Sequence, residues 1–88
     1  MGKLLNIGFG NFVNADKITA IITSESAPSK RQVQQAKEQQ RLIDATQGRK
    51  TKSLLFTTDQ KLILSALTTD TLSTRFMQSL NLPEEESN

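Results

Sequence analysis

The chain has 88 residues, enough for one domain, with 35% apolar residues, 4 Phe as its aromatics and no Trp, Tyr, Cys or His. Without His and Cys there is no Ser-His dyad, no thiolate nucleophile and no ordinary zinc site. The formal charge is +2, but Glu84, Glu85 and Glu86 sit together near the end, and the body before them carries 11 cations against 6 acids, a net +5 that suits a polyanionic partner.

Residues 3–13, KLLNIGFGNFV, mix apolar positions with Gly8 and Gly10 and read as a strand with a bulge or tight turn at the glycines. The two glycines superficially match a phosphate-cradling loop. The dinucleotide fingerprint, however, needs a third glycine at a helix start, and here position 13 is Val with a strand following. NADK (14–17) is turn chemistry and ITAIIT (18–23) is a β-branched strand, so the pattern predicts an N-terminal hairpin with Lys17 at its tip.

Ser26 then offers an N-cap and Pro28 falls in the first turn of a helix running to Arg41. Its apolar face is meagre, Val33 and Ala36, while Lys30, Lys37 and Arg41 lie within about 40° of one another and form a basic stripe. LIDATQGRKTK (42–52) leaves the helix and turns at Gly48. SLLFTT (53–58) and KLILSAL (61–67) make a second hairpin around Asp59-Gln60, with Leu54 and Phe56 sharing one face, as do Leu62, Leu64 and Ala66. Thr69 or Asp70 caps a last helix over 71–80, whose buried stripe is Leu72, Phe76 and Leu80. The expected order is β-β-α-β-β-α, an α+β domain over 1–82 with two β-hairpins and two helices, followed by a flexible acidic tail over 83–88.

With its 4 Gly the apolar share reaches only about 40%, below the roughly 45–50% of an average globular domain. So thin a core predicts self-association. No apolar run approaches the ~20 residues of a membrane span, and the start is not a signal peptide, so a soluble cytoplasmic protein is expected. The carboxylates Asp16, Glu25, Asp44, Asp59 and Asp70 are scattered among turns and caps, with no spacing that converges two of them for acid/base work. Asp44 is expected to bond local backbone. No enzyme activity, catalytic residue, cofactor or metal is indicated.

The cations are organised differently. Gly48 lets the backbone turn so that Arg49 and Lys50 project at a strand start, with Lys52 beside them. Lys17 sits at another loop, and Lys30 and Arg31 lie on a helical flank. Arg brings a planar fork for phosphate or guanine edges, and Lys a point charge for phosphate. Three elements of one sign in so small a chain favour nucleic-acid backbone contact. With only four Phe, at least two of them core-like, duplex DNA fits better than a base-stacking single-strand platform.

NIGFGN (6–11), NADKI, ITSESAPSKRQVQQA, LIDATQGRKTKS and ILSAL, in this order over residues 4–76, resemble the RemA family of small bacterial regulators of extracellular matrix genes. The resemblance implies a non-enzymatic DNA-binding transcriptional regulator, partly LytTR-like, assembled as a closed ring of identical subunits, with an octamer expected. It also implies DNA contacts from a G-R-R loop before the third strand, which reads Gly48-Arg49-Lys50 here, and from the first hairpin tip, where Lys17 replaces the usual arginine. Gln47 replaces the aromatic that commonly precedes the glycine. Keeping charge while losing forks preserves phosphate attraction and weakens base reading. The expected DNA-binding set is Arg49 and Lys50, assisted by Lys17 and flanked by Lys52, Lys30 and Arg31. Two other readings stand beside it: a ring scaffold for an acidic protein partner, with the acidic tail docking in a neighbour's basic loop, and an RNA-binding regulator.

Overall fold

The computed structural model describes residues 3–81, the side chains as far as Ser79; the acidic tail over 83–88 and the side chain of Leu80 lie outside the described residues. The chain runs β1 (Leu4–Gly8), β2 (Asn11–Asn14), a one-turn 3-10 helix (Ala15–Lys17), β3 (Ile18–Thr23), α1 (Ala27–Glu38), β4 (Leu42–Asp44), β5 (Ser53–Thr57), β6 (Leu62–Ser65) and α2 (Thr69–Asn81). This is a small α+β domain of two sheets and two helices. None of its described helices is long and apolar enough to cross a membrane.

The first hairpin differs from expectation. β1 pairs with β2 alone, while β3 belongs to a second sheet of order β3-β5-β6-β4. The glycines decide this: Gly8, Phe9 and Gly10 have φ of 108°, 56° and 78°, so the chain reverses there and not at Lys17. The expected bulge is present as well. Register passes from Asn6↔Phe12 to Gly8↔Asn11, which leaves Ile7 as the extra residue. Lys17 sits instead in the 3-10 turn that carries the chain from one sheet to the other, its carbonyl accepting from Thr58 N at 2.8 Å.

Two more boundaries shift. α1 is capped as expected by Ser26, whose Oγ accepts from Ser29 N at 3.1 Å, but it stops at Glu38. Gln40 adopts φ 58°, Gln40 N donates to Lys37 O and Arg41 N to Ala36 O, the paired bonds of a Schellman ending. Arg41 therefore leaves the basic stripe and donates to Gln39 Oε1 and Gln60 O. α2 is capped by neither expected residue: Thr68 Oγ accepts from Thr71 N at 3.1 Å. The three-residue strand β4, parallel to β6, was not expected from the sequence.

The β5–β6 hairpin forms as expected, and alternation along it supplies two cores. Leu55 and Ile63 face Leu5, Ile7, Ala15 and Leu72, the side covered by the β1–β2 hairpin and α2. Leu54, Leu62 and Leu64 face Ala36 with Val33 and Leu42 around it, the side covered by α1. Buried Ser65 joins the two sheets, its Oγ donating to Ile7 O at 2.9 Å and accepting from Leu67 N at 3.1 Å, while buried Ser53 Oγ fixes the segment after β6 by donating to Leu67 O at 2.6 Å.

The bulged Ile7 thus finds in Ser65 a partner for its carbonyl. Ser65→Ala removes the hydroxyl that serves the Ile7 carbonyl and the Leu67 amide, and is expected to cost about 1–3 kcal/mol of stability, read from the urea midpoint at constant m-value.

Candidate nucleic-acid interface

Strands β4 and β5 are consecutive in the chain, but β6 lies between them in the sheet. Residues 45–52 must therefore cross the C-terminal end of β6, and they are pinned on both sides of it. Ala45 N donates to Leu64 O at 3.0 Å, and Lys52 N to Ser65 O at 2.9 Å. Between these anchors Arg49 N donates to Thr46 O at 3.0 Å across Gln47 and Gly48, whose φ are 55° and 78°. Positive φ at both central positions is the pattern of a type I′ turn, favourable for Gly48 and tolerated by Gln47 at some cost.

The turn has a polar base. Asp44 Oδ1 accepts from Thr46 N at 2.9 Å and from Thr46 Oγ at 2.6 Å, the local bonding expected of Asp44. These two bonds, the hydroxyl's first, hold the Asp44 carboxyl below its ordinary pKa against a small opposing effect of burial. Thr46 itself is only 2% exposed. A second tie comes from the segment leading into α1, where Ser24 Oγ donates to Thr51 O at 2.8 Å and Ser24 N to Lys52 O at 3.3 Å. Arg49, Lys50 and Lys52 are exposed on this anchored loop.

The β1–β2 tip belongs to the same surface. Asn11 Nδ2 donates to Gly8 O at 3.0 Å and reaches Ala45 O at 3.5 Å. Phe9, 45% exposed, lies under Arg49, with Cζ of the guanidinium 5.1 Å from the ring centroid. The expected set of cations does not include Phe9, which the fold brings beside Arg49. The available signal was an aromatic held between two glycines, where the chain has to reverse and no core position exists.

The candidate cations divide. Lys30 and Lys50 border one cleft of about 580 Å³, lined also by Glu25, Val33 and Leu64, so α1 and the loop share a cationic rim. Arg31 is exposed on α1 but does not line that cleft. Lys17 lies at the far end of β5, beside Thr58, whereas Lys52 precedes the strand's start. Thr58 and Lys52 are six residues apart, so at a strand rise of 3.3 Å per residue roughly 20 Å separates Lys17 from the end of the loop. Asp59 shares Lys17's end, its carboxyl lowered first by the hydrogen bond from Thr57 and weakly by Lys61 and Lys17. A single chain therefore presents two separate basic points. Of the four Phe, Phe56 and Phe76 pack against the two cores, while Phe9 and Phe12 are exposed.

A family model described as RemA-like, extracellular matrix regulatory protein A-like, matches residues 4–76. Three bacterial relatives carry the name "Putative regulatory protein". That of Thermosipho melanesiensis is 51% identical over 86 residues, covering 98% of this chain and 92% of the relative. That of Pseudothermotoga lettingae is 48% identical over 88 residues, covering 100% and 97%. That of Oleidesulfovibrio alaskensis is 48% identical over 79 residues, covering 90% and 94%.

A carboxyl whose folded pKa is depressed contributes stability that is complete above its unfolded value and is lost as pH falls through the folded one. The Asp44–Thr46 anchor is thus expected to be intact at neutral and mildly acidic pH and to loosen only below about pH 4. The protection factors of the Thr46 and Arg49 amides, which correct for the slower intrinsic exchange in acid, should fall there, and Asp44→Ala should show that lower protection already at pH 7. Equal protection in the variant at pH 7 would assign the loop's order to its backbone anchors alone.

Proposed function

The chain belongs to the RemA-like family, and on that premise we propose that it is a transcriptional regulator of the extracellular matrix type that binds duplex DNA through the 45–52 loop. Arg49 and Lys50 make the principal contacts, Lys52 adds charge at the end of the loop and Lys30 across the cleft from Lys50, and Arg31 lies on the helical flank. The observation that carries this reading is the pair Arg49–Lys50, exposed on a loop anchored to β6 at both ends, with neither cation tied into an ion pair among the described residues. An anchored loop loses little entropy when it meets a phosphate, so its charge acts without an ordering cost. The regulatory names of the relatives agree with such a role.

Lys17 enters as a separate, assisting contact, because it sits at the opposite end of β5 from the loop. The reading includes a homo-oligomeric ring in the cytoplasm, an octamer being the expected size. In its support, Leu4, Phe12 and Met77 are each more than half exposed, and β3 and β4 are edge strands of the larger sheet. Identical copies joined head-to-tail close into a ring when the rotation permits. Loops repeated around such a ring make many weak phosphate contacts into one multivalent site that can bend DNA. A ring scaffold that uses the same cations on an acidic protein partner is the competing use of this surface. A single-stranded RNA target also draws support from one observation, the exposure of Phe9 beside Arg49.

Fluorescence anisotropy of a labelled ~40-bp duplex, titrated at several salt concentrations, tests the reading through the slope of log K against log salt. Wild type should show a steep linear fall. Arg49→Ala with Lys50→Ala should abolish binding while the oligomer, measured by light scattering, stays intact; Lys17→Ala should weaken binding by less. Wild-type affinity in the double variant would overturn the assignment of the loop. Tighter binding of a single-stranded RNA competitor would transfer the site to RNA.

A further inference from the structure

The β1–β2 tip is built at a cost that its turn does not require. Gly8, Phe9 and Gly10 are three consecutive residues with positive φ, and only glycine adopts that region freely. Gly8 is required by its φ of 108° and not by space, since a Cβ there would meet Leu67 Cγ at an ordinary contact distance of 3.4 Å, and Gly10 has open space around it. Phe9 has neither a core to fill nor a backbone conformation that favours a side chain. It is nearly half exposed, and the guanidinium of Arg49 lies over its ring at 5.1 Å from the centroid.

A guanidinium has two separable binding surfaces. Its flat face stacks on an aromatic ring, while its five N–H donors lie in the plane and serve carboxylate or phosphate. A carboxylate partner would consume those donors; a ring does not. Arg49 makes no side-chain hydrogen bond or ion pair among the described residues, so its in-plane donors remain free. The side-chain amide of Asn11 reaches Ala45 O at 3.5 Å, a long bond between the tip that carries Phe9 and the start of the loop that carries Arg49.

We propose that Phe9 is a positioning residue for Arg49: its ring face holds the guanidinium in place at the loop's outer surface while leaving the phosphate-binding edge free. The proposal rests on the reading of Arg49 as a nucleic-acid contact and adds the element that pre-organises it. Arg49 meets a phosphate with part of its rotamer freedom already removed, which strengthens binding without adding charge. The salt slope, set by the number of cations on phosphates, is then independent of position 9.

A double-mutant cycle between Phe9→Leu and Arg49→Ala, read by anisotropy on the same duplex, tests it. Leu keeps an apolar, non-glycine residue at the same φ and removes only the aromatic face. Phe9→Leu is expected to weaken binding about 2- to 5-fold at unchanged salt slope, and to have no further effect in the Arg49→Ala background. Phe9→Tyr, which retains the face, should bind within about twofold of wild type. Independently of DNA, the Arg49 Nε–Hε order parameter should fall in Phe9→Leu and persist in Phe9→Tyr. Wild-type affinity in Phe9→Leu, or an equal loss with and without Arg49, overturns the proposal even if Arg49→Ala itself binds weakly. Full binding by Arg49→Ala together with an ordered Arg49 side chain in wild type would instead sink the DNA-contact reading on which the proposal rests.

Discussion

Leu54, Leu62 and Leu64 on one side, with Leu55 and Ile63 on the other, leave strands β5 and β6 no face for water. Every other element answers to that constraint. The β1–β2 hairpin and α2 cover one face and α1 the other, and because α1 offers little more than Ala36 and Val33, its cover is thin. Burying a Leu is worth about 2 kcal/mol, so these few side chains are a large part of what a domain of this size can draw on. The same constraint puts β6 between β4 and β5, and the connection across its end becomes the anchored loop that carries Arg49 and Lys50.

Order in that loop comes from polar groups rather than from packing. Backbone bonds to Leu64 and Ser65 fix its ends, Asp44 and Thr46 fix its turn, and Ser24 ties it to the start of α1. The arrangement keeps the cations in high-dielectric surroundings, where their charge is screened by salt yet available to a polyanion. Lys30 joins them across the α1 cleft. Lys17, at the other end of β5 with Asp59 and Lys61 nearby, belongs to a different part of the field.

The glycine segment combines several local demands. Gly8 supplies a positive φ, Ile7 is bulged and its carbonyl accepts from Ser65, and Phe9 emerges beside Arg49. A residue that breaks local preference without a packing reason is a place to look for function, and Phe9 is such a residue.

Much of this was written in local chemistry. Alternation marked β5 and β6, Ser26 and Pro28 marked the start of α1, Gly48 marked the turn, and the run Arg49-Lys50-Thr51-Lys52 stood out against a chain otherwise modest in charge. Those features are legible because each depends on neighbours within a few residues. The partner of β3 depended on burial across the whole chain: ITAIIT fits any strand slot, and only the second sheet offered it Leu54, Leu55 and Phe56 as neighbours. β4 is three residues long and exists through its parallel pairing with β6, which no local pattern encodes. The meeting of Phe9 with Arg49, 40 positions apart, came from the same source. The sequence by itself determined which strands form the centre, where the loop turns and what charge it carries; tertiary packing alone decided which ends of the sheet those charges occupy and which side chains they meet, because sheet order is settled by long-range burial and not by neighbouring residues.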